Sequence, residues 1–198
     1  MNAKKLILAA ILGLLGLSGE ARAPLVKYGV EWGYAPTVYY KQALNYISED
    51  GYRVDDRTGG LTWSSNGFIL AGVGLNVSEH FCLSAHSGYM GISGGNRVIP
   101  VLLRATGYVA GSEKDGITVF LDFGAGLHIP KEDQPDRKPC LTGDAGLGYH
   151  LVLERRAGLN LMFSVKGTYD RPLVPDAKEV RRSAAFYLAP VVSVGLDF

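Results

Sequence analysis

Apolar and polar residues alternate with a period of two along most of this chain, in eight separate runs. These cover about Lys27 to Tyr39, Gly67 to Val77, Phe81 to Gly91, Val98 to Val109, Ile117 to His128, Leu141 to Leu151, Gly158 to Tyr169 and Ser183 to Phe198. The fifth run is representative. Ile117, Val119, Leu121, Phe123, Ala125 and Leu127 fall on one face, and Thr118, Asp122, Gly124, Gly126 and His128 on the other. A period of two over 10 or so residues is a β-strand with one greasy face. The connections differ in length. Tyr40 to Asn66, Ile129 to Cys140 and Asp170 to Arg182 read as long loops. Ser78-Glu79-His80, Ala110 to Gly116 and the region around Glu154-Arg155-Arg156 read as short turns, and Ile92 to Arg97 is a Gly-rich loop hardly longer than a turn.

The polar face decides the solvent. A water-soluble barrel or sandwich hides its apolar face and covers the other with Lys, Glu and Thr. Here the second face is mostly Gly, Ala, Ser and Asn with isolated charges. That is poor cover against water but a good lining for a narrow eight-stranded lumen. The Leu, Val, Ile and aromatic face is therefore assigned to lipid, which a closed barrel tolerates because its backbone groups are paired between strands. Aromatics fall at both ends of that face: Phe81, Tyr149 and Phe198 at one, Tyr34, Tyr89, Tyr169 and Phe186 at the other.

Composition narrows the classes further. The 26 glycines and 11 tyrosines suit strands and turns. Past the N-terminal region no apolar stretch reaches 18 residues, which excludes a helical membrane protein. A net charge of +1 gives no reason to expect nucleic acid. Cys82 and Cys140 fall near opposite ends of the expected barrel, too far apart to favour a disulfide, and no metal-ligand spacing or cofactor motif is present. At the N-terminus, Lys4 and Lys5 precede an apolar run from Leu6 to Leu17, followed by small residues at Gly19, Ala21 and Ala23. This pattern is a secretory signal peptide, with cleavage expected after Ala21 or Ala23.

The signal peptide, the eight alternating runs, the long and short connections and a last strand ending on Phe198 together resemble the small OmpA/OmpX-type barrels, a porin-like outer-membrane β-barrel family of Gram-negative bacteria. The resemblance implies an all-β fold: an eight-stranded antiparallel up-and-down transmembrane β-barrel after a cleaved signal peptide, with residues 1–23 as signal and 24–198 as barrel. It implies short periplasmic turns and longer extracellular loops. It also implies a terminal strand whose Phe198 is the signal read by the barrel assembly machinery, and outer-membrane lipid as the surrounding partner. It says almost nothing about activity, because one barrel plan hosts many functions.

Five charged residues fall on the inward face: Glu31, Arg104, Asp122, Asp144 and Lys166. Buried charges persist when paired. Arg104 and Asp122 lie at similar heights on neighbouring runs, as do Asp144 and Lys166, so both are expected as lumenal ion pairs, with Glu31 leaning toward Arg104. These charges fit a side-chain plug or, alternatively, a gated path for protons or small ions. Gly72/Gly74, Gly124/Gly126 and Gly146/Gly148 imitate a phosphate-cradling motif, but no helix pattern follows any of them. They read instead as lumenal positions that make room for long side chains.

Some barrels of this size act on lipid through a Ser and a His. His86 and Ser87 are adjacent, so they face opposite sides of a strand and cannot pair as nucleophile and base. Ser84 shares the face of His86, but no acidic orienter is evident in the sequence. His128 and His150 read as lining residues, His80 as solvated, and the mixed-sign run Lys131 to Lys138 as a solvated loop. Tyr52 and Trp63, in the expected first loop, are the surface contact candidates; they serve recognition or pack on the barrel rim. The expected function is a non-enzymatic outer-membrane barrel with a filled polar lumen, in an envelope-structural or surface-interaction role. The alternatives are a narrow conduit for small or hydrophobic solutes, with Pro36 and Pro100 as the residues able to break the wall, and a lipid-modifying enzyme.

Overall fold

The computed structural model describes residues 26–130, 138–154, 157–174 and 177–198. The signal segment and most of the charged run at 131–137 lie outside the described residues, as does the turn at Arg155-Arg156. The described chain forms strands β1 (Val26–Tyr34), β2 (Thr37–Ser48), β3 (Arg53–Ser64), β4 (Gly67–Ser78), β5 (Phe81–Gly91), β6 (Arg97–Tyr108), β7 (Gly116–His128), β8 (Cys140–Glu154), β9 (Ala157–Asp170) and β10 (Ala177–Asp197). Every pairing is antiparallel. β1 pairs with β4 on one side and with β10 on the other, which closes an eight-membered ring of β1, β4, β5, β6, β7, β8, β9 and β10.

β2 and β3 are not separate members of that wall. They continue β1 and β4 beyond the short breaks at Ala35-Pro36 and Ser65-Asn66. β2 pairs with the first half of β10 and with β3, giving a three-stranded platform that stands outside the ring. The expected long loop from Tyr40 to Asn66 is therefore a correction: it is a hairpin of two 12-residue strands. At about 3.3 Å per residue each arm is about 40 Å long. Its turn is Glu49-Asp50-Gly51. Gly51 N–H donates to Ser48 O at 2.9 Å and Gly51 adopts φ +86°, the left-handed position that closes a three-residue hairpin loop. Likewise β10 begins at Ala177 rather than Ser183, which shortens the last connection.

Burial follows the expected faces. On β7, Ile117, Val119, Leu121, Phe123 and Leu127 are exposed on the outside of the ring, while Thr118, Phe120 and Asp122 are buried within it. Leu103, Leu147, Phe163 and Val192 continue the same apolar exterior around the barrel. A 13-residue strand at about 3.3 Å per residue, tilted by about 45°, crosses about 30 Å, the thickness of a bilayer core. No helix among the described residues is long and apolar enough to cross a membrane; the crossing is made by strands. The interior is narrow enough to need glycine. A Cβ at Gly124 would lie 2.0 Å from Val101 O, so only the missing side chain lets β6 and β7 approach there.

Candidate functional site: the closed lumen and the outer platform

The lumen is filled in layers. At mid-height, Arg104 on β6 reaches Asp122 on β7 through both arms of its fork, Nε to Oδ1 and Nη2 to Oδ2, each at 2.7 Å. Its Nη1 donates to Glu31 Oε2 at 2.7 Å across the lumen from β1. Register explains the first contact, since Arg104 and Asp122 are direct cross-strand partners. The guanidinium also lies 4.8 Å from the Phe120 ring centroid. All three charged side chains are buried. Two-point pairing with one carboxylate and single-point pairing with the other uses the planar fork that Arg offers and Lys lacks.

Asp144 and Lys166 are also direct partners in register, yet they form no ion pair. Lys166 Nζ instead points to Met90 Sδ at 3.4 Å and sits 4.3 Å from the Phe68 ring centroid. Asp144 Oδ1 is buried without a hydrogen-bond partner. A shared register fixes Cα atoms, while a four-carbon stem is free to run along apolar surface to a different neighbour. The structure thus brings Glu31, Arg104 and Asp122 together and leaves Asp144 and Lys166 apart.

Above this level an apolar cluster fills part of the lumen, beside the polar contacts of Thr142 with Thr168 and of His128 with Asp170. Phe68, Leu70, Met90, Val98, Leu102, Ala189, Val191 and Cys140 form one buried cluster. Over it sits a polar knot. Asn66 Nδ2 donates to Ile92 O at 2.6 Å and to Ser64 O at 2.9 Å, and the Thr37 hydroxyl also bonds Ile92 O. This draws Ile92, from the connection after β5, inward as a cap. Sequence reasoning missed the apolar layer. Its signal was present: Phe68-Ile69-Leu70-Ala71 and Val101-Leu102-Leu103 are continuous rather than alternating, which marks strands apolar on both faces, one toward lipid and one toward the lumen.

Below the triad lies a cavity of about 50 Å³, bordered by Glu31, His86, Arg104, Tyr108, Asn160 and Asp197. It has room for a water or two and not for an acyl chain. Ser84 Oγ and His86 Nε2 are 2.8 Å apart here. His86 Nδ1 has no hydrogen-bond partner, so nothing orients the ring as a catalytic base. Ser87 faces outward, and its hydroxyl donates to Pro100 O at 2.8 Å. Other lumenal histidines are held in pairs: His150 Nδ1 with Asn160 Oδ1 at 2.8 Å, and His128 Nε2 with Asp170 Oδ1 at 3.0 Å. Cys82 and Cys140 are both buried and no disulfide joins them. Among the described residues no group of His, Cys, Asp or Glu is arranged to hold a metal.

The two proline positions differ. Pro36 lies at the junction of wall and platform, where the partner register on β10 slips by one between Tyr34↔Val192 and Tyr39↔Leu188. Pro100 lies inside the wall. The β5–β6 ladder pairs Ser87↔Val101 and Met90↔Val98 but skips the two positions between, because proline offers no N–H to β5.

Tyr52 lies at the exposed tip of the hairpin. Trp63 is a correction to the expected loop position: it is on β3, exposed on the outer face with Leu61 and close to the ring. Phe198 is tied by its backbone to Tyr28, N–H to Tyr28 O at 2.7 Å and O from Tyr28 N–H at 3.0 Å, extending the closing seam by one pair.

No family model matches the sequence, and no curated protein matches it. Among solved structures, the outer membrane protein OprG from Pseudomonas aeruginosa is similar over 89% of this chain and 97% of its own, at 11% identity and a TM-score of 0.55. Neisserial surface protein A matches over 84% of this chain and 96% of its own, at 9% identity and a TM-score of 0.45. Ail, the attachment invasion locus protein of Yersinia pestis, matches over 87% and 98%, at 10% identity and a TM-score of 0.41. At such identities the likeness concerns fold alone. That fold, the closed ring and the apolar exterior make this chain a transmembrane β-barrel of the outer-membrane kind.

Proposed function

We propose that this protein is a non-enzymatic integral outer-membrane barrel whose interior is structural and whose working surface is the platform of β2, β3 and the first half of β10. The observation that carries this reading is the closure of the lumen at three successive levels: the Arg104 triad, the apolar cluster and the knot at Asn66. A conducting pore needs a continuous water path, and a lipid-modifying site needs an acyl-sized pocket beside an oriented nucleophile. The interior supports neither. The platform, by contrast, extends the wall by two paired strands with Tyr52 at its tip.

Planar-bilayer recording on the purified barrel tests the closed interior. Only sub-resolution leak is expected across salt and voltage; a stable open channel of ordinary size would overturn the proposal. Lipid acyl profiles from cells making wild type or H86A test the enzymatic alternative, and the profiles are expected to coincide. A second reading rests on the skipped pairs at Pro100. Flanked inside by Met90 and Leu102, this weak point supports a sideways route for small apolar solutes. Liposome uptake of an apolar solute that is seen with wild type and abolished by P100V would favour that route.

A further inference from the structure

The outward face of the platform holds a pocket that neither the lumen nor the hairpin tip explains. It encloses about 380 Å³ and is bordered by Tyr39, Lys41, Ala43, Arg57, Gly59, Gly60 and Arg182, with Gln42 and Thr58 completing it. Register places these residues. Lys41 pairs with Phe186 on β10 and Gly59 on β3; Ala43 pairs with Ala184 and Arg57; Asn45 pairs with Arg182 and Asp55. Phe186 in turn pairs with Tyr169, an outward-facing girdle residue. Lys41, Arg57 and Arg182 are therefore on the exterior face, around a floor of small residues.

The floor is small by construction. Gly59 and Ala43 leave the sheet surface bare, and a Cβ at Gly59 would lie 3.0 Å from Tyr40 O. Lys41 and Arg57 are diagonal neighbours across β2 and β3, about 7 to 8 Å apart, and Arg182, opposite Asn45 on β10, borders the same depression from its far side. Arg57 has one anionic neighbour, Asp55 at 3.9 Å, and both are exposed. Neither Lys41 nor Arg182 makes an ion pair among the described residues. Just toward the barrel lie Tyr39, Leu61, Phe186 and Trp63, apolar groups at the level where hydrocarbon gives way to headgroups.

We propose that this pocket binds a phosphate group on the headgroup of an outer-leaflet glycolipid. The chemistry is complementary: two guanidiniums and an ammonium for a phosphate dianion, over a floor that admits it, with aromatic and aliphatic groups beneath for the attached acyl chains. A free anion would use the cations but gain nothing from the apolar side. The inference deepens the platform reading and rests on it. It is independent of lumen closure, so bilayer recording and lipid binding fail separately.

Native mass spectrometry of the detergent-purified full chain tests it, with a bis-phosphorylated glucosamine-disaccharide lipid and its dephosphorylated counterpart as probes. Wild type should retain the phosphorylated probe at least tenfold better. K41Q/R57Q/R182Q should lose that preference, while K114Q, on an exposed turn at the opposite end, should keep it. Heat-modifiable migration on gels should show both variants folded. Inorganic phosphate at 10 mM should leave the lipid bound. Equal retention of the two probes, or an unchanged preference in the triple variant, would overturn the proposal. Displacement by inorganic phosphate would also overturn it, reassigning the pocket to a free anion.

Discussion

Removing Arg104 leaves two carboxylates facing each other in the lumen, and the cost can be worked from the contacts. The guanidinium makes three charge-assisted hydrogen bonds of 2.7 Å, two to Asp122 and one to Glu31. At about 1.5–3 kcal/mol each, the gross loss is about 4.5–9 kcal/mol. The cavity of about 50 Å³ beside Glu31 and Arg104 admits water to the stranded groups, which moves the expectation toward the about 3–5 kcal/mol typical of a broken buried pair. R104M keeps the length and the contact with Phe120 while deleting the charge. Urea titration of the barrel refolded into vesicles, read by tryptophan fluorescence, should show the loss. Neutralising the partners as well, in E31Q/D122N/R104M, should restore at least half of it, because no uncompensated charge remains. If R104M lies within about 1 kcal/mol of wild type, or if the triple variant is less stable than R104M, the triad does not hold the interior together as argued.

Other substitutions probe separate features. A Cβ at Gly72 would lie 2.4 Å from His86 Nδ1 and 2.9 Å from Ala85 O, so G72A should destabilise by about 1–3 kcal/mol and G72A/H86A should recover the part due to the ring; an innocuous G72A would mean the ring is elsewhere. S87A removes the hydroxyl that serves Pro100 O and should cost about 1 kcal/mol in the same titration, with no effect expected if lipid-side carbonyls need no partner. Cys82 and Cys140 should both resist a membrane-impermeant maleimide in the folded barrel and both react in urea; rapid labelling of either without denaturant would contradict a closed lumen.

The strands of the wall were legible because lipid imposes a strict rule on one face. Ile117 to Leu127 shows it in an uninterrupted series. The platform escaped because most of its length stands beyond the hydrocarbon, where neither face is held to apolar residues. Lys41, Gln42, Asn45, Asp55, Asp56, Arg57 and Thr58 put polar groups on both sides, which erases the period-two signal. Only Asp50-Gly51 remained as a hairpin cue. Within the lumen, Arg104 and Asp122 could be matched by counting along neighbouring strands, since both side chains meet within one cross-strand step. Lys166 could not, because its direction is set by Met90 and Phe68, which lie on β5 and β4 and are not reached by counting along strands neighbouring its own. Likewise the pocket at Lys41, Arg57 and Arg182 needs three strands in register before its residues become neighbours.

Spin labels placed one at a time at Leu121, Phe163 and Val192, with Thr142 and Ser164 as lumenal comparisons, examine directly which face meets the acyl chains. In bilayers the first three should be more accessible to dissolved oxygen than to a water-soluble nickel chelate, deepest at mid-membrane, while the lumenal pair should be shielded from both. Leu121, Phe163 and Val192 accessible to the nickel chelate, or buried from oxygen as in a water-soluble core, would contradict a barrel that wears its apolar face outward.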